Sequence, residues 1–253
     1  RNYIPYNLNI SYTPAEDFYS LIEKFDIEAV FHEGAISSTT ETDNQKLYKY
    51  NVECSIKLIQ HCVKNNIPIQ YASSASVYGN LDESQWKQDK RPLNPLNLYA
   101  KSKFMIDDYV YNLFILYNNN PSIQVQGMRY FNVYGPNEDH KVGQSSPYHA
   151  FSTQLKETGR IKLFENSHLF FRDFIHVNEV IKHKLNCFNN YTTGIYDVGS
   201  ARPKTFYDVA VEVCNEFNVS PDATIDYIPM PEKLKEHYQT YSCANMSWCR
   251  QLG

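Results

Sequence analysis

The chain of 253 residues suits one large domain, or one domain with a smaller appendage, and its 42% hydrophobic content supports a sizeable core. Its 28 acidic and 24 basic residues are mixed along the sequence, and the net charge of -4 argues against a nucleic-acid partner. The six cysteines show no C-x-x-C spacing, so the sequence indicates neither a metal site nor a disulfide scaffold and favours a reducing cytoplasm. We recognise no signal peptide and no apolar run of about 18 residues, so the sequence gives no support for a membrane partner.

The first half of the chain predicts helices and strands in alternation, which is the signal for βαβ units and a parallel sheet. Thr13 is a cap that precedes Pro14 at the first helical position, so a helix is expected over residues 13–25. Residues 28–32 predict a buried strand. Apolar side chains at helical spacing then predict a long helix over residues 43–64, and residues 67–71 predict the next strand.

A polar segment over residues 80–97 leads to a helix expected over residues 99–117 and a strand expected over residues 123–130. After Pro136 the pattern becomes irregular. Short helices are expected over residues 150–158 and 207–217, and short strands near Lys162, Phe174, Ile195 and Ile225. We therefore expect an α/β protein in which residues 1–136 form a dinucleotide-binding domain. Residues 137–253 would form mainly a small α+β substrate lobe, with short returns to the main domain.

Tyr99 and Lys103 are four residues apart on a predicted helix, so their side chains share one face. A lysine ammonium beside a phenol favours the phenolate, which would make Tyr99 a base near neutral pH. Ser74 follows a predicted strand, at the end where open α/β sheets bind ligands, and its hydroxyl could donate to the same substrate oxygen. The Tyr-x-x-x-Lys spacing alone is common on amphipathic helices, so the interpretation depends on Ser74.

Three segments together resemble the extended short-chain dehydrogenase/reductases, which include nucleotide-sugar epimerases and dehydratases. They are S-S-A-S-V-Y-G (residues 73–79), Y-A-K-S-K (residues 99–103) and R-Y-F-N-V-Y-G-P (residues 129–136). Five further segments resemble the ADP-L-glycero-D-manno-heptose 6-epimerases within that family: residues 31–43, 135–141, 163–167, 172–177 and 231–239. The resemblance covers nearly the whole chain.

This resemblance implies a Rossmann-type parallel sheet and an isomerase that holds NADP, or NAD in its place. The substrate would be an ADP-linked heptose, the product would feed lipopolysaccharide inner-core synthesis, and the enzyme would be a cytoplasmic homo-oligomer. The implied catalytic residues are Tyr99, Lys103, Ser74 and Lys141. The implied cofactor-binding residues are Glu33, Gly34, Ala35, Ile36, Ser37, Asn51, Lys103, Val133 and Lys141. The implied substrate-binding residues are Ser74, Asn132, His149, Phe164, Glu165, Asn166, Ser167, Arg172 and Tyr238.

Each implied role has a plainer alternative. The implied role of Lys141 is that of a second base, because the substrate alcohol is presented in two orientations. The plainer alternative is that Lys141 belongs to a solvated loop. Residues 33–37 could be an ordinary strand-to-helix loop, and Asn51 could be a buried structural amide or a brace for the active-site backbone. Arg172 could pair with Asp173 on the surface instead of binding a diphosphate.

One family feature is absent from the sequence. No G-x-x-G-x-x-G turn, which seats a dinucleotide pyrophosphate on a helix N-terminus, occurs anywhere in the chain. We expect that the chain is truncated at both ends and lacks the first βαβ unit, so the choice between NAD and NADP is open. Around His149 the sequence also departs from the family pattern. The rival hypotheses are another NAD(P)-dependent nucleotide-sugar 4-epimerase or dehydratase, and a cofactor-free homologue that acts as a binding subunit.

Overall fold

The structure is a computed structural model that describes residues 26–88, 91–116, 124–141, 143–190, 193–232 and 239–250. The predicted helix over residues 13–25 and the predicted substrate residue Tyr238 lie outside these ranges. In the first half of the chain the elements are strand β1 (Val30–His32), helix α1 (Asn44–Leu47), a π-helical turn (Tyr48–Glu53), helix α2 (Cys54–Lys64), strand β2 (Ile69–Ser74), a 3-10 turn (Ala75–Tyr78), helices α3 (Glu83–Trp86) and α4 (Leu98–Leu116), and strands β3 (Val125–Tyr130) and β4 (Asn132–Tyr134).

The second half contains more and shorter elements. They are helix α5 (Pro147–Thr158), strand β5 (Ile161–Phe164), a 3-10 turn (Ser167–Leu169), strands β6 (Phe171–Arg172) and β7 (Phe174–His176), helix α6 (Val177–Asn190), strands β8 (Gly194–Val198) and β9 (Lys204–Thr205), helices α7 (Phe206–Glu216) and α8 (Pro221–Thr224), strand β10 (Ile225–Ile228) and helix α9 (Ser247–Arg250).

The main sheet is parallel, as predicted, with the strand order β1-β2-β3-β8. The helices that alternate with these strands cover both faces, which is why β2 is buried almost throughout instead of alternating between buried and exposed positions. Strand β2 ends three residues later than predicted, so Ser74 is its last residue. Strand β1 is shorter than predicted and begins at Val30. The short strand predicted near Ile195 is β8, which returns from the second half of the chain to the sheet edge.

The predicted helix over residues 43–64 forms, but its second turn is π-helical. The Asp43 carboxylate accepts a hydrogen bond from the backbone N–H of Lys46 at 2.9 Å, which caps the first turn. Helices α2 and α4 pack on β1, β2 and β3 through one apolar cluster. Its buried members are Val30, Leu58, Ile59, Cys62, Ile69, Tyr71, Ile106, Val110, Leu113 and Val125.

Helix α6 was not predicted from the sequence, because four asparagines lower the helix propensity of residues 177–190. Three glutamine side chains of the β2 and β3 region bind its carbonyl groups instead. Gln70 Nε2 donates to the Lys184 carbonyl at 2.9 Å, Gln124 Nε2 to that of Phe188 at 2.6 Å, and Gln126 Nε2 to that of Cys187 at 3.1 Å. Tertiary contacts with the sheet therefore stabilise a helix that local propensity does not favour.

A second apolar cluster lies in the second half of the chain. It is formed by α5, α7, β5 and β10, with Phe151, Ile161, Val209 and Val213 among its buried members. Strands β5 and β10 pair in parallel. The helices predicted over residues 150–158 and 207–217 and the strands near Lys162 and Ile225 are thus present. Within the described ranges, no helix is both long and apolar enough to cross a membrane.

Candidate functional site

Three of the predicted catalytic residues meet at the carboxyl end of β2. Ser74 ends that strand, and Tyr99 and Lys103 lie in the first two turns of α4. The Lys103 ammonium donates to the carbonyl of Ala72 at 2.8 Å and lies 6.0 Å from the centre of the Tyr99 ring. Lys103 is only 4% exposed, so its charge is held inside the protein. The pattern of a strand end followed by a helix start therefore brings together the residues that the sequence singled out.

The Ser74 hydroxyl is oriented by the 3-10 turn that follows it. Its oxygen accepts hydrogen bonds from the backbone N–H of Ser76 at 3.2 Å and from the Ser76 hydroxyl at 3.0 Å. Both contacts use the Ser74 oxygen as an acceptor, so its own hydrogen is left to donate. A hydrogen bond joins Ser74 to the Tyr99 phenol.

Burial is the main influence on the protonation of Tyr99 and Lys103. Burial raises the pKa of Tyr99, and the hydrogen bond with Ser74 only partly opposes that change. Burial also lowers the pKa of Lys103 to about 8, against the charges of Asp107 and Glu33. Desolvation therefore favours the neutral Tyr99 phenol in this structure, and the Lys103 ammonium is directed at the Ala72 carbonyl. That Lys103 favours the phenolate during catalysis stays a prediction.

Asn51 connects the loop after β1 to helix α4. Its side chain accepts from the Ile36 backbone N–H at 2.8 Å and donates to the Ile36 carbonyl at 3.0 Å and to the Ser102 hydroxyl at 3.1 Å. Ser102 in turn donates to the Tyr99 carbonyl at 2.7 Å. Asn51 lies in the π-helical turn and is fully buried. This geometry agrees with the interpretation of Asn51 as a brace, and π-helical turns are frequent at functional sites.

The loop over residues 33–37 is exposed apart from Ile36. A Cβ built on Gly34 would meet no atom within 4 Å in the described part of the chain, so this backbone is open to a ligand. The Glu33 carboxylate itself does not point into open space. It forms an ion pair with Lys184 of α6 and accepts a hydrogen bond from the Tyr130 phenol at 3.2 Å.

His32 is a neighbour of this site that the sequence analysis did not single out. Its Nε2 lies 2.8 Å from the Ser55 hydroxyl. Burial, aided by the charge of Lys103, lowers the pKa of His32 to about 4, so the ring is neutral at neutral pH. The only signal in the sequence was its place at the end of a predicted strand, beside Glu33.

Lys141 faces the cofactor loop across a cavity of about 690 Å³, which Ser37, Thr39 and His140 also line. The Lys141 side chain is 43% exposed, and its ammonium lies 3.5 Å from a carboxylate oxygen of Glu138. The structure therefore brings two of the predicted cofactor residues, Ser37 and Lys141, to one cavity.

Glu138 anchors the loop that carries Lys141, although no pattern in the sequence marks it as a functional residue. The carboxylate is buried and accepts hydrogen bonds from the backbone N–H of Gly135 at 3.2 Å and from the Ser146 N–H and hydroxyl at 2.8 and 2.7 Å. Burial would raise the pKa of Glu138, but these hydrogen bonds together lower it. His149 lies on the helix that Ser146 caps, with its Nε2 3.7 Å from Asp139.

Two of the predicted substrate residues, Phe164 and Ser167, line a separate cavity of about 610 Å³ whose other walls include Phe151, Phe206 and Ile228. The Ser167 hydroxyl is buried and has no hydrogen-bond partner among the described residues. Such a group costs free energy unless a ligand or water satisfies it. Glu165 and Asn166 are exposed at the turn between these two residues.

Arg172 lies close to this second cavity. Its guanidinium is 5.6 Å from the centre of the Phe206 ring and donates to the Phe171 carbonyl at 2.9 Å. Arg172 and Asp173 are not on the surface, as the alternative required: both are buried, and the Asp173 carboxylate accepts hydrogen bonds from the backbone N–H groups of Ser200 and Ala201.

Asn132 and Val133 follow the end of β3 closely and begin the short strand β4, which pairs in parallel with β7. The Asn132 amide donates to the Asp173 carbonyl at 3.1 Å. No cluster of three or more potential metal ligands occurs in the residues that the structure describes.

Comparisons with known proteins show that the chain is similar to nucleotide-sugar epimerases. The chain is 40% identical over 252 residues to the ADP-L-glycero-D-manno-heptose-6-epimerase of Alkalilimnicola ehrlichii, a match that covers 96% of this chain and 76% of that protein. Its fold is similar to that of the Helicobacter pylori ADP-L-glycero-D-manno-heptose-6-epimerase, with a TM-score of 0.79 and 25% identity over 93% of this chain and 68% of that one.

The UDP-glucose 4-epimerase of Thermus thermophilus, solved in complex with NAD, is similar in fold, with a TM-score of 0.76 and 20% identity over 94% of this chain and 76% of that one. The sequence matches the NAD dependent epimerase/dehydratase family over residues 6–199, a range that contains Ser74, Tyr99 and Lys103. The chain therefore belongs to the NAD dependent epimerase/dehydratase family.

Proposed function

We propose that the protein interconverts the D-glycero and L-glycero epimers of ADP-manno-heptose by transient oxidation at C6 of the heptose. The observation that carries this proposal is the meeting of Ser74, Tyr99 and Lys103 at one strand end. The substrate assignment is supported by the 40% identity to a relative named for this reaction.

The cofactor residues fit a nicotinamide dinucleotide. The Gly34 backbone is open, Asn51 fixes Ile36, and Ser37 and Lys141 line one cavity. We propose that residues 33–37, Asn51, Lys103, Val133 and Lys141 hold NADP. When bound, the nicotinamide supplies the two-electron acceptor and donor that transient oxidation requires.

Tyr99 is the proposed proton acceptor and donor for the 6-hydroxyl. Oxidation to the 6-ketone removes a proton from that oxygen, and reduction returns one. The Tyr99 side chain must therefore accept a proton as the phenolate and donate one as the phenol. Ser74 can act only as a donor, because Ser76 occupies its acceptor positions, and in this structure it donates to the Tyr99 phenol. With substrate bound, we propose that this hydroxyl hydrogen turns to the same substrate oxygen. Lys103 places a positive charge 6.0 Å from the Tyr99 ring.

Lys141 is the proposed second acid/base group. An epimerase must handle the C6 oxygen in two orientations, and a single fixed group serves only one of them well. The partial exposure of Lys141 and its weak contact with Glu138 leave the ammonium able to reach a ligand.

The cavity beside Ser167 is the proposed site for the ADP part of the substrate. Its apolar wall suits an adenine ring, and the unsatisfied Ser167 hydroxyl requires a polar partner. Arg172 is suited to the diphosphate because a guanidinium matches phosphate oxygens in two places. The remaining substrate contacts that we propose are Asn132, His149, Phe164, Glu165, Asn166 and Tyr238.

We also propose that residues 1–136 are the dinucleotide-binding domain and residues 137–253 mainly the substrate lobe. Separate apolar clusters in the two regions support this division. Thiols at Cys54, Cys62 and Cys243 support a cytoplasmic enzyme, and the exposed apolar side chains of Tyr111 and Ile115 on α4 support a homo-oligomer.

Substrate discrimination tests this function. Purified protein supplied with NADP is incubated with ADP-D-glycero-D-manno-heptose and, in parallel, with UDP-galactose, and the products are separated by anion-exchange chromatography. We expect turnover of the ADP-heptose alone. Turnover of UDP-galactose alone would assign a 4-epimerase, and failure to bind nicotinamide or to turn over either sugar would favour a binding subunit.

A further inference from the structure

A buried carboxylate lies one helical turn beyond Lys103 and has no part in the mechanism above. It belongs to Asp107 of α4, which is only 2% exposed. We infer that Asp107 is a positioning residue, whose carboxylate holds Lys103 and the strand end that carries Ser74 in their working arrangement by charge and hydrogen bonding. This inference deepens the proposed function and rests on it, since it assigns Lys103 and Ser74 their roles.

The hydrogen bonds of Asp107 fix the segment that leads to Ser74. One carboxylate oxygen accepts from the Tyr71 phenol at 2.9 Å, and the other accepts from the Ser73 hydroxyl at 2.9 Å. Between these two residues, the carbonyl of Ala72 accepts the Lys103 ammonium at 2.8 Å. Three consecutive residues of β2 are therefore tied to α4 immediately before Ser74.

The charge of Asp107 is also well placed to act on Lys103. Tyr99, Lys103 and Asp107 follow one another at four-residue intervals and so lie along one face of α4. Charged and titratable neighbours of Lys103 from other elements are His32 at the end of β1 and Glu33 in the loop that follows.

Asp107 influences the charge state of Lys103 more strongly than Glu33 does. The Glu33 side chain is 44% exposed and paired with Lys184, whereas Asp107 is shielded from solvent, so its field is screened less. Asp107 is accordingly the largest charge effect opposing the fall in the pKa of Lys103, which burial lowers to about 8.

A buried network holds Asp107 itself in place. Arg129 donates to the Asp107 carboxylate through Nε at 2.8 Å and to the Tyr78 phenol at 2.9 Å. Tyr78 donates to Asp197 at 2.7 Å, and Arg91 donates to Asp197 at 2.6 Å. A buried ion pair adds little net stability compared with apolar residues of the same volume. Stability therefore does not explain why a charged residue lies at Asp107, whereas a role in positioning the site does.

The substitution Asp107→Asn removes the charge and keeps the shape. Without this charge Lys103 loses its proton at lower pH, so the alkaline limb of the plot of kcat against pH should move to lower pH by about one unit. The loosened strand end should also lower kcat more than it changes KM. A merely structural role would lower stability without moving the limb.

Lys103 can be observed directly, without any substrate. We would record the 13C NMR signals of the lysine Cε atoms against pH in the whole protein, with the Lys103 signal assigned by its loss in Lys103→Arg. The titration midpoint of Lys103 should fall by about one unit in Asp107→Asn. Asp108→Asn is the matched control, because Asp108 carries the same charge on the same helix but is exposed. The Lys103 midpoint in Asp108→Asn should equal the Lys103 midpoint in the unsubstituted protein.

An unchanged Lys103 midpoint in Asp107→Asn would overturn the inference. If this variant does not fold, because Arg129 is left unpaired, the double variant Asp107→Asn/Arg129→Met removes the ion pair as a whole and should shift the midpoint in the same direction. The NMR result does not depend on turnover. Failure of the unsubstituted protein to epimerise ADP-heptose would therefore count against the proposed function, while an unmoved midpoint counts against Asp107 alone.

Discussion

Tyr99 carries a proton at neutral pH in this structure, because burial outweighs its hydrogen bond with Ser74. The spacing of Tyr99 and Lys103 in the sequence correctly indicates a shared helix face. It does not indicate how deeply that face is buried, nor that Ala72 offers the Lys103 ammonium a carbonyl partner. For an acid/base group that must both release and accept a proton, the phenol is one of the two working states.

The roles of Tyr99 and Lys141 can be separated by mutation. Tyr99→Phe should abolish conversion of both epimers, because it removes the proposed group in contact with the 6-hydroxyl. Lys141→Ala should slow conversion of one epimer more than the other, by about 10²-fold or more, as expected for loss of one general acid/base group. Initial rates measured with each ADP-heptose epimer give the comparison.

Lys64→Ala removes the same charge at an exposed position at the end of α2 and serves as the control. The two-base scheme is wrong if Lys141→Ala converts both epimers at the normal rate while Tyr99→Phe converts neither.

Some site residues could be predicted from sequence and others could not. Ser74, Tyr99 and Lys103 carry local signals, since a strand end and a helix spacing mark them. Asp107 shares the four-residue spacing of Tyr99 and Lys103, but that spacing does not show its burial or its distant partner Arg129. Glu138 likewise has no pattern around it that indicates its buried hydrogen bonds with Ser146.

Among the elements, β3 must pass unusually close to a tyrosine of β2. Gly127 is in register with Tyr71, and a Cβ built on Gly127 would lie 2.4 Å from the Tyr71 hydroxyl and 2.6 Å from its ring. The ring cannot move away without giving up its hydrogen bond to Asp107. Because Gly127 has no side chain, Tyr71 of β2 has room to reach Asp107 of α4, and its hydrogen bond joins β2 to α4 at this point.

Gly127→Ala should lower the free energy of unfolding by about 1–3 kcal/mol, as overpacking in a buried region commonly does. Urea unfolding followed by circular dichroism measures this change. Gly34→Ala is the matched control, because its Cβ enters open space, and it should change stability by less than about 0.5 kcal/mol. Equal stability of the two variants would show that Tyr71 does not restrict Gly127.

The elements that sequence patterns predicted are those with strong local signals. The helix over residues 43–64 has a capping Asp43 and apolar side chains at helical spacing. Helix α6 also has apolar side chains at helical spacing, but its four asparagines lower its helix propensity, and its position depends on Gln70 and Gln126, side chains of distant strands. The sequence of α6 and of the residues beside it does not show these contacts with distant strands.

For the molecule as a whole, alternation of helices and strands was enough to predict a parallel α/β fold. The order of the strands was not predictable in the same way. Strand β8 joins the sheet beside β3 after the chain has formed β5, β6 and β7, so its register with β3 is a long-range property. Gln126 pairs with Gly194 across that boundary.

In the proposed mechanism, C6 changes configuration by losing a hydride and regaining the same one. Purified protein with NADP is incubated with ADP-D-glycero-D-manno-heptose in D2O, and the C6 position of the product is examined by 1H NMR and mass spectrometry. We expect the L-glycero epimer with protium retained at C6. Deuterium at C6, or no epimer at all, would contradict this mechanism.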